Sequence, residues 1–308
     1  MSFVGSLTVS SYAQEIELKD LEHRLQQHVI EISHNIGERN YLTYDNLKKA
    51  ASYIISKFEE YGYIVELETY EIEGRDYSNI IVEKKGKISP DEIIIIGAHY
   101  DTVSGSPGAD DNTSAIAGLL ELARLFSRQD IDKTIRFIAF VNEEPPFFMT
   151  EDMGSRVNAK ASMMRQDRII AMVSLEMIGY YNKEKNSQTY PAFLGLFYPN
   201  TADFIGFVGN IGSASLINKL KQLFKKHSDF PVEVVAAPSF VRGVDWSDHS
   251  SFRQYGYKAM MVTDTSFYRY AHYHSHTDTY EKLDYKSMSE VVCGLYFAFK
   301  DLSTVVKR

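Results

Sequence analysis

Residues 93–126, IIIIGAHYDTVSGSPGADDNTSAIAGLLELARLF, decide how this chain folds. Four consecutive isoleucines before Gly97 leave no polar alternation, so the strand they form must be covered on both faces, as in a parallel sheet. The run stops at His99, Tyr100 and Asp101, passes through a loop rich in Ser, Gly and Pro, and reaches Asp110, Asp111, Asn112, Thr113 and Ser114, which are helix-capping residue types. Ile116, Leu119, Leu120, Leu122, Ala123 and Phe126 then mark one face of a helix. The unit is strand, polar loop, helix. In open α/β sheets, ligands settle in the crevice beyond the carboxyl ends of the strands, which makes His99 and the nearby carboxylates candidates for chemistry.

The flanking sequence extends this unit in both directions. Residues 134–141, TIRFIAFV, read as a second buried strand running into Asn142, Glu143 and Glu144, and residues 169–175, IIAMVSL, as a third ending at Glu176. Residues 259–263, AMMVT, form another that ends in Asp264. Upstream, Leu21, Leu25, Val29 and Ile32 predict a helix over 20–36 stopped by Gly37, and Leu47, Ala51, Ile54, Ile55 and Phe58 predict a second over 44–61. Residues 63–70 and 78–83 read as paired edge strands, the first with Val65 and Leu67 on one side and Glu66 and Glu68 on the other. Residues 180–212 loosen into Gly, Pro, Asn and aromatics, including Tyr180, Tyr181, Phe193, Phe197 and Tyr198, which suits long loops and an apolar pocket over an active face. A helix over 213–227, a strand over 232–236, a histidine-rich loop over 266–284 and a helix over 285–302 complete the chain. Without repeat, linker or composition break, residues 1–308 read as one α/β domain, its core about 40–303 with the 20–36 helix packed on it.

Composition narrows the function classes. With 308 residues, 44% hydrophobic and 24% charged, the chain can bury a full core. Its net charge of −8 argues against a nucleic-acid backbone as partner. A single cysteine, Cys293, excludes an internal disulfide and sits in an apolar helical context, as a small buried hydrophobe does. Residues 1–11 lack a basic region followed by a long apolar run, and no apolar stretch of about 18 residues exists to span a membrane. The expectation is a soluble protein, cytoplasmic as sequenced, with export open if a signal peptide has been removed.

Zinc takes nitrogen and oxygen ligands, a catalytic site keeps a position for water, and paired metals need a carboxylate that can bridge them. His99, Asp111, Glu144, Glu176 and His274 all lie at strand ends or in the loops beyond, and Glu143 is a spare carboxylate beside them. A carboxyl group among other carboxylates in a partly dry cleft has a raised pKa, which suits it to accept a proton from an activated water. Individually these residues have ordinary structural explanations, as caps, surface acids or satisfied histidines. Their convergence from several independent strands is what marks a site. His23, His28, His34 and His227 lie in helical stretches and read as surface residues. Arg242 is a candidate for binding a substrate carboxylate, with a surface salt bridge as the alternative. No HExxH, GxSxG or glycine-rich phosphate loop is present.

The runs GAHYDTV, GADDNTSA, AFVNEEPPFF, TEDMGS, SLEMIGYY, SDHSSF and YHSHTDTYEKLDY resemble, in order, those of the zinc-dependent exopeptidase family that contains double-zinc aminopeptidases, glutamate carboxypeptidase and glutaminyl cyclases. The resemblance spans residues 47–302. It implies a three-layer α/β sandwich with a central mixed, mostly parallel sheet and helices on both faces. It also implies one zinc held by His99 and Glu176, a second held by Glu144 and His274, and Asp111 bridging them. Asp101 matches the carboxylate that orients the first histidine, Glu143 the general base and Tyr273 a hydroxyl that stabilises the oxyanion. Asp248 and His249 match a family pair near the pocket wall, with a structural role as the alternative. His274 is chosen over His272 and His276 because the family's ligand stands four residues before the Asp278, Thr279 pair. Glu176 stands where many of the peptidases have Asp, which leaves one zinc as the alternative to two. The activity implied is removal of N-terminal residues from peptides with a free amino terminus. The alternatives are a glutaminyl cyclase-like acyl transferase and a non-catalytic interaction domain on the same fold.

Overall fold

The computed structural model describes residues 16–191 and 194–305; Phe193 lies outside them. Eight strands form one sheet among these residues: β1 (Glu66–Ile72), β2 (Arg75–Lys84), β3 (Ser89–His99), β4 (Lys133–Phe140), β5 (Ile169–Glu176), β6 (Ile205–Asn210), β7 (Val232–Ala237) and β8 (Ala259–Thr263). Their spatial order is β1-β2-β4-β3-β5-β8-β6-β7. The middle strands β4, β3, β5 and β8 are parallel. The β1-β2 hairpin joins β4 antiparallel, and β6, itself parallel to β7, joins β8 antiparallel. The sheet is mixed and mostly parallel, as the sequence led us to expect.

The four isoleucines of β3 explain its central place. Ile94 and Ile96 join the core on one face, Ile93 and Ile95 the core on the other, and none is more than 7% exposed. Burying each contributes roughly 1.5–3 kcal/mol. Gly97 follows because a side chain there would run into the ring of Phe140 on β4. The helices are α1 (Leu18–Val29, continued as a wider turn over Ile30–Ile36), α2 (Tyr44–Glu60), α3 (Ala115–Ser127), α4 (Gly154–Met164), α5 (Ala214–His227), α6 (His249–Arg253) and α7 (Tyr285–Leu302). Apolar residues of α1, α2, α3, α5 and α7 belong to the larger core, and those of α4 and α6 to the smaller one, giving three layers.

Several expectations need correction. Residues 180–212 are not loop throughout, since β6 lies within them; its sequence IGFVGN carries two glycines and shows little alternation. Helices α4 and α6 were not anticipated. In β1 the half-buried positions are Glu68, Tyr70 and Ile72, while Leu67 is 49% exposed. Glu68 turns inward because it accepts hydrogen bonds from Asn79 at 2.8 Å and Asn158 at 2.9 Å. His28 is no surface residue: its ring is buried between the hydroxyl of Tyr53 (2.7 Å) and Glu121 (3.3 Å). The side chain of His227 is also largely covered, 2.8 Å from Asp301. No helix among the described residues is long and apolar enough to cross a membrane.

Candidate metal centre

The ends of the central strands deliver the ligand-type side chains. His99 is the last residue of β3 and Glu176 the last of β5, while Glu143 and Glu144 follow β4. Asp111 lies in the turn before α3, and His274 in the loop after β8. Asn142, Met177 and His274 all have left-handed backbone (φ 60°, 51° and 54°). Non-glycine residues hold that conformation only where surrounding bonds fix it. Two of those bonds run from Met177 N–H to Asn112 Oδ1 (2.8 Å) and from Asn142 Nδ2 to the Tyr70 hydroxyl (3.3 Å).

The resulting cluster is tight. His99 Nε2 lies 3.5 Å from Asp111 Oδ1, 3.6 Å from Glu176 Oε2 and 3.8 Å from Glu143 Oε2. His274 Nε2 lies 3.1 Å from Asp111 Oδ2 and 3.3 Å from Glu144 Oε1. Asp111 therefore presents one oxygen to each imidazole. The ligand atoms of His99, Asp111 and Glu176 lie within 4.8 Å of one another, as do those of Asp111, Glu144 and His274, and those of His99, Glu143 and Glu144.

Neighbouring groups hold these side chains in place. His99 Nδ1 is 3.2 Å from the Asp101 carbonyl and 3.5 Å from its carboxylate, which also accepts the N–H groups of Glu143 (3.1 Å) and Glu144 (3.0 Å). Ser247 donates to Glu176 Oε2 at 2.7 Å. Asp278 accepts the N–H groups of Asp110 and Asp111 (2.9 and 3.1 Å) and so ties the Asp111 turn to the His274 loop. Arg39, which sequence reasoning missed, is wholly buried. Its guanidinium donates to the carbonyls of Tyr100 (2.7 Å), Pro107 (2.7 Å), Gly37 and Gly108 (both 3.2 Å) and to the Thr113 hydroxyl, bracing both ends of the segment between His99 and Asp111. Nothing local marked it, since a lone arginine after a helix stop reads as a surface residue.

The electrostatics fit a cation. Asp101, Asp111, Glu143, Glu144, Glu176 and Asp248 are all buried. Arg39 is a wholly buried cation beside this cluster, and burial lowers its pKa to about 10 against the pull of Asp101, Asp278 and Asp111. Burial, reinforced by Asp111, pushes Glu144 up to about 7, with His274 opposing. Burial pushes the His99 imidazole down, but Glu176 and Glu143 outweigh it and its pKa lies well above the usual range. His99 Nε2, buried and aimed into this ring of carboxylates, has no hydrogen-bond partner. An imidazole nitrogen and paired carboxylate oxygens converging on one point make a donor set for a divalent metal such as zinc.

A cleft opens beside the cluster, lined at this end by Glu176 and Tyr273 and further on by Phe204, Val208, Trp246 and Met261. The Tyr273 ring stacks on His274 with centroids 3.7 Å apart. Asp248 is buried and pushed up to about 7, chiefly by burial. His249 contacts the Val244 carbonyl at 2.8 Å, and neither residue lines the cleft. Arg242 lies over the rings of Trp246 (5.3 Å) and Phe267 (4.8 Å) and makes no salt bridge among the described residues. His272 contacts Thr277 at 2.7 Å, and of the three clustered histidines it is His274 that reaches the carboxylates.

Carboxylates and imidazoles gathered at the carboxyl edge of a parallel sheet define a metallohydrolase type of site. The chain belongs to peptidase family M28, whose model matches residues 79–295, and is a hydrolase of the metallopeptidase type. It is 38% identical over 281 residues to the uncharacterised protein YfbL of Escherichia coli K12, covering 88% of this chain and 85% of that one. Its fold is similar to that of BSAP, a zinc aminopeptidase from Bacillus subtilis (TM-score 0.73, 17% identity, 92% of this chain and 95% of that one). It is also similar to that of a glutaminyl cyclase from Fimbriiglobus ruber (TM-score 0.66, 18% identity, 91% and 94%).

Proposed function

We propose that this protein is a zinc-dependent aminopeptidase. The observation that carries the reading is the sharing of Asp111 between two ligand-type triads, His99/Asp111/Glu176 and Asp111/Glu144/His274. Each triad would hold one zinc, and two ions per chain would supply Lewis acidity that polarises a peptide carbonyl and acidifies the attacking water. Glu143 takes the proton of that water and returns it to the leaving amine. Burial, and then the charges of Glu176, Glu144 and Asp248, hold its carboxyl well above the usual range, with His99 pulling the other way. Asp101 fixes the tautomer and orientation of His99. Burial and the neighbouring acids keep the Tyr273 hydroxyl protonated, so that it can donate to the oxyanion of the tetrahedral intermediate. The density of acidic groups draws in the ammonium of a free N-terminus.

The test is mass spectrometry of unblocked, amino-blocked and Gln-initiated peptides after incubation with zinc-loaded protein, beside a chelated control. Stepwise loss of N-terminal residues from unblocked peptides only, abolished by chelation, is the expected result. Loss of one ammonia from the Gln peptides alone would replace this reading with a cyclase. No change in any peptide would refute it.

A further inference from the structure

We propose that the cleft beside the metal centre selects peptides whose first residue is lysine or arginine, with Glu233 as the residue that recognises the cation. This assignment rests on the aminopeptidase reading above. Strand register carries the argument: Glu176 pairs with Thr263, Thr263 with Gly206, and Gly206 with Glu233. Paired residues on adjacent strands point to the same face, so these four form one row across the sheet, with its ends about 14 Å apart at about 4.8 Å per strand. All four line the cleft. In the middle of the row Gly206 lets the walls approach closely: a Cβ there would sit 3.1 Å from the Thr263 carbonyl and 3.4 Å from the Thr265 methyl.

The walls suit a long apolar stem with a charged tip. Val208, Val235, Met261 and Leu194 border the trough. At its far end the rings of Tyr190 and Tyr198 stack with centroids 5.6 Å apart, and the Tyr198 hydroxyl is anchored on the Val234 carbonyl at 2.8 Å. Glu233 lines the same cleft and is half-buried, and among the described residues its carboxylate has neither an ion-pair nor a hydrogen-bond partner. Neither nearby arginine pairs with it: Arg242 lines the cleft with its guanidinium over the faces of Trp246 and Phe267, and Arg269 donates to the Phe204 carbonyl (2.9 Å) and Gln188 (2.8 Å). An unpaired carboxylate in an otherwise apolar cleft is complementary to an ammonium or guanidinium, which gains a charged hydrogen bond there. A lysine side chain reaches about 6 Å from its Cα and a glutamate about 4 Å, together about 10 Å of the row's roughly 14 Å, so the two meet when the substrate Cα stands about 4 Å in from Glu176, whereas leucine there stops several ångströms short.

The test compares kcat/KM of the zinc-loaded full-length protein on the coumarin amides of lysine and of norleucine, which share a stem and differ in the terminal charge. We expect a lysine-to-norleucine ratio of about ten or more that falls to about one in Glu233→Gln and lower still in Glu233→Lys. Reading a ratio within one preparation removes any loss of active protein from the comparison. A wild-type ratio at or below one, or a ratio unchanged in Glu233→Gln, overturns the proposal. If neither amide is hydrolysed, the aminopeptidase reading fails by itself, and calorimetric binding of lysinamide and norleucinamide decides the subsite. Tighter lysinamide binding that is lost in Glu233→Gln supports it; equal or absent binding overturns it.

Discussion

Replacing Arg39 by methionine keeps the length of the stem and removes a guanidinium of which no part is exposed. Of its acceptors, the Gly108 carbonyl keeps a second donor in the Thr113 backbone N–H (3.3 Å), but the Tyr100 and Pro107 carbonyls lose 2.7 Å bonds inside a dry region. Two carbonyls stranded at about 1–3 kcal/mol each give about 2–6 kcal/mol. Breaking a buried charge network typically costs about 3–5 kcal/mol. The value here belongs at the lower end, because the lowered pKa of Arg39, about 10, reflects a burial cost that methionine would not incur. A loss of about 3 kcal/mol at roughly 2 °C per kcal/mol for a chain of this size lowers Tm by about 6 °C. The segment freed carries His99, Asp101 and Asp111, so zinc affinity should also fall, by about 10- to 100-fold as for other groups that orient metal ligands. Differential scanning fluorimetry of chelated protein and zinc titration against a chromophoric chelator read the two effects separately. A Tm within about 1 °C of wild type together with an unchanged zinc Kd would refute the bracing role.

Glu143→Gln should lower turnover by about 10²- to 10⁴-fold while zinc content stays near wild type, and a loss of less than tenfold would remove Glu143 from the role of base. Asp101→Ala releases both His99 and the N–H groups of Glu143 and Glu144; zinc affinity should drop about 10- to 100-fold, and an equal Kd in the same chelator competition would count against it. His28→Ala leaves Glu121 buried without one of its partners, so urea denaturation should show a loss of about 2–4 kcal/mol, whereas a surface histidine would cost within about 0.5 kcal/mol. Burial pushes the Cys293 thiol up to about 11. Its thiolate fraction at pH 8 is then about one in a thousand, and native protein should react with a disulfide reagent at least about a hundredfold slower than free cysteine. Because the thiolate grows as pH approaches the pKa from below, that rate should rise about tenfold per unit from pH 8 to 10; a flat profile would refute it.

What could be read from the sequence and what could not divide along a physical line. Strands β3, β4, β5 and β8 were legible because a strand covered on both faces is apolar at nearly every position, whatever its neighbours are. Their ends were legible too, since a histidine or glutamate placed directly after such a run lies at the same edge of a parallel sheet in any strand order. That is why His99, Glu143, Glu144 and Glu176 could be singled out before their distances were known. β1 misled because Glu68 faces inward for the sake of Asn79 and Asn158, a choice that depends on a helix, α4, whose own apolar pattern is weak. His28 misled for the same kind of reason: its partners Tyr53 and Glu121 come from two other helices. Arg39 and Glu233 had no local signal. The role argued for Arg39 depends on two loop segments meeting over it, and the one proposed for Glu233 depends on the order β5-β8-β6-β7, in which an antiparallel strand enters a parallel sheet. Ligand-type residues can be recognised by their kind and their place at a strand end. A residue that braces a centre is defined by how loops meet, and one that would choose its substrate by strand register; both become visible only when the elements are assembled.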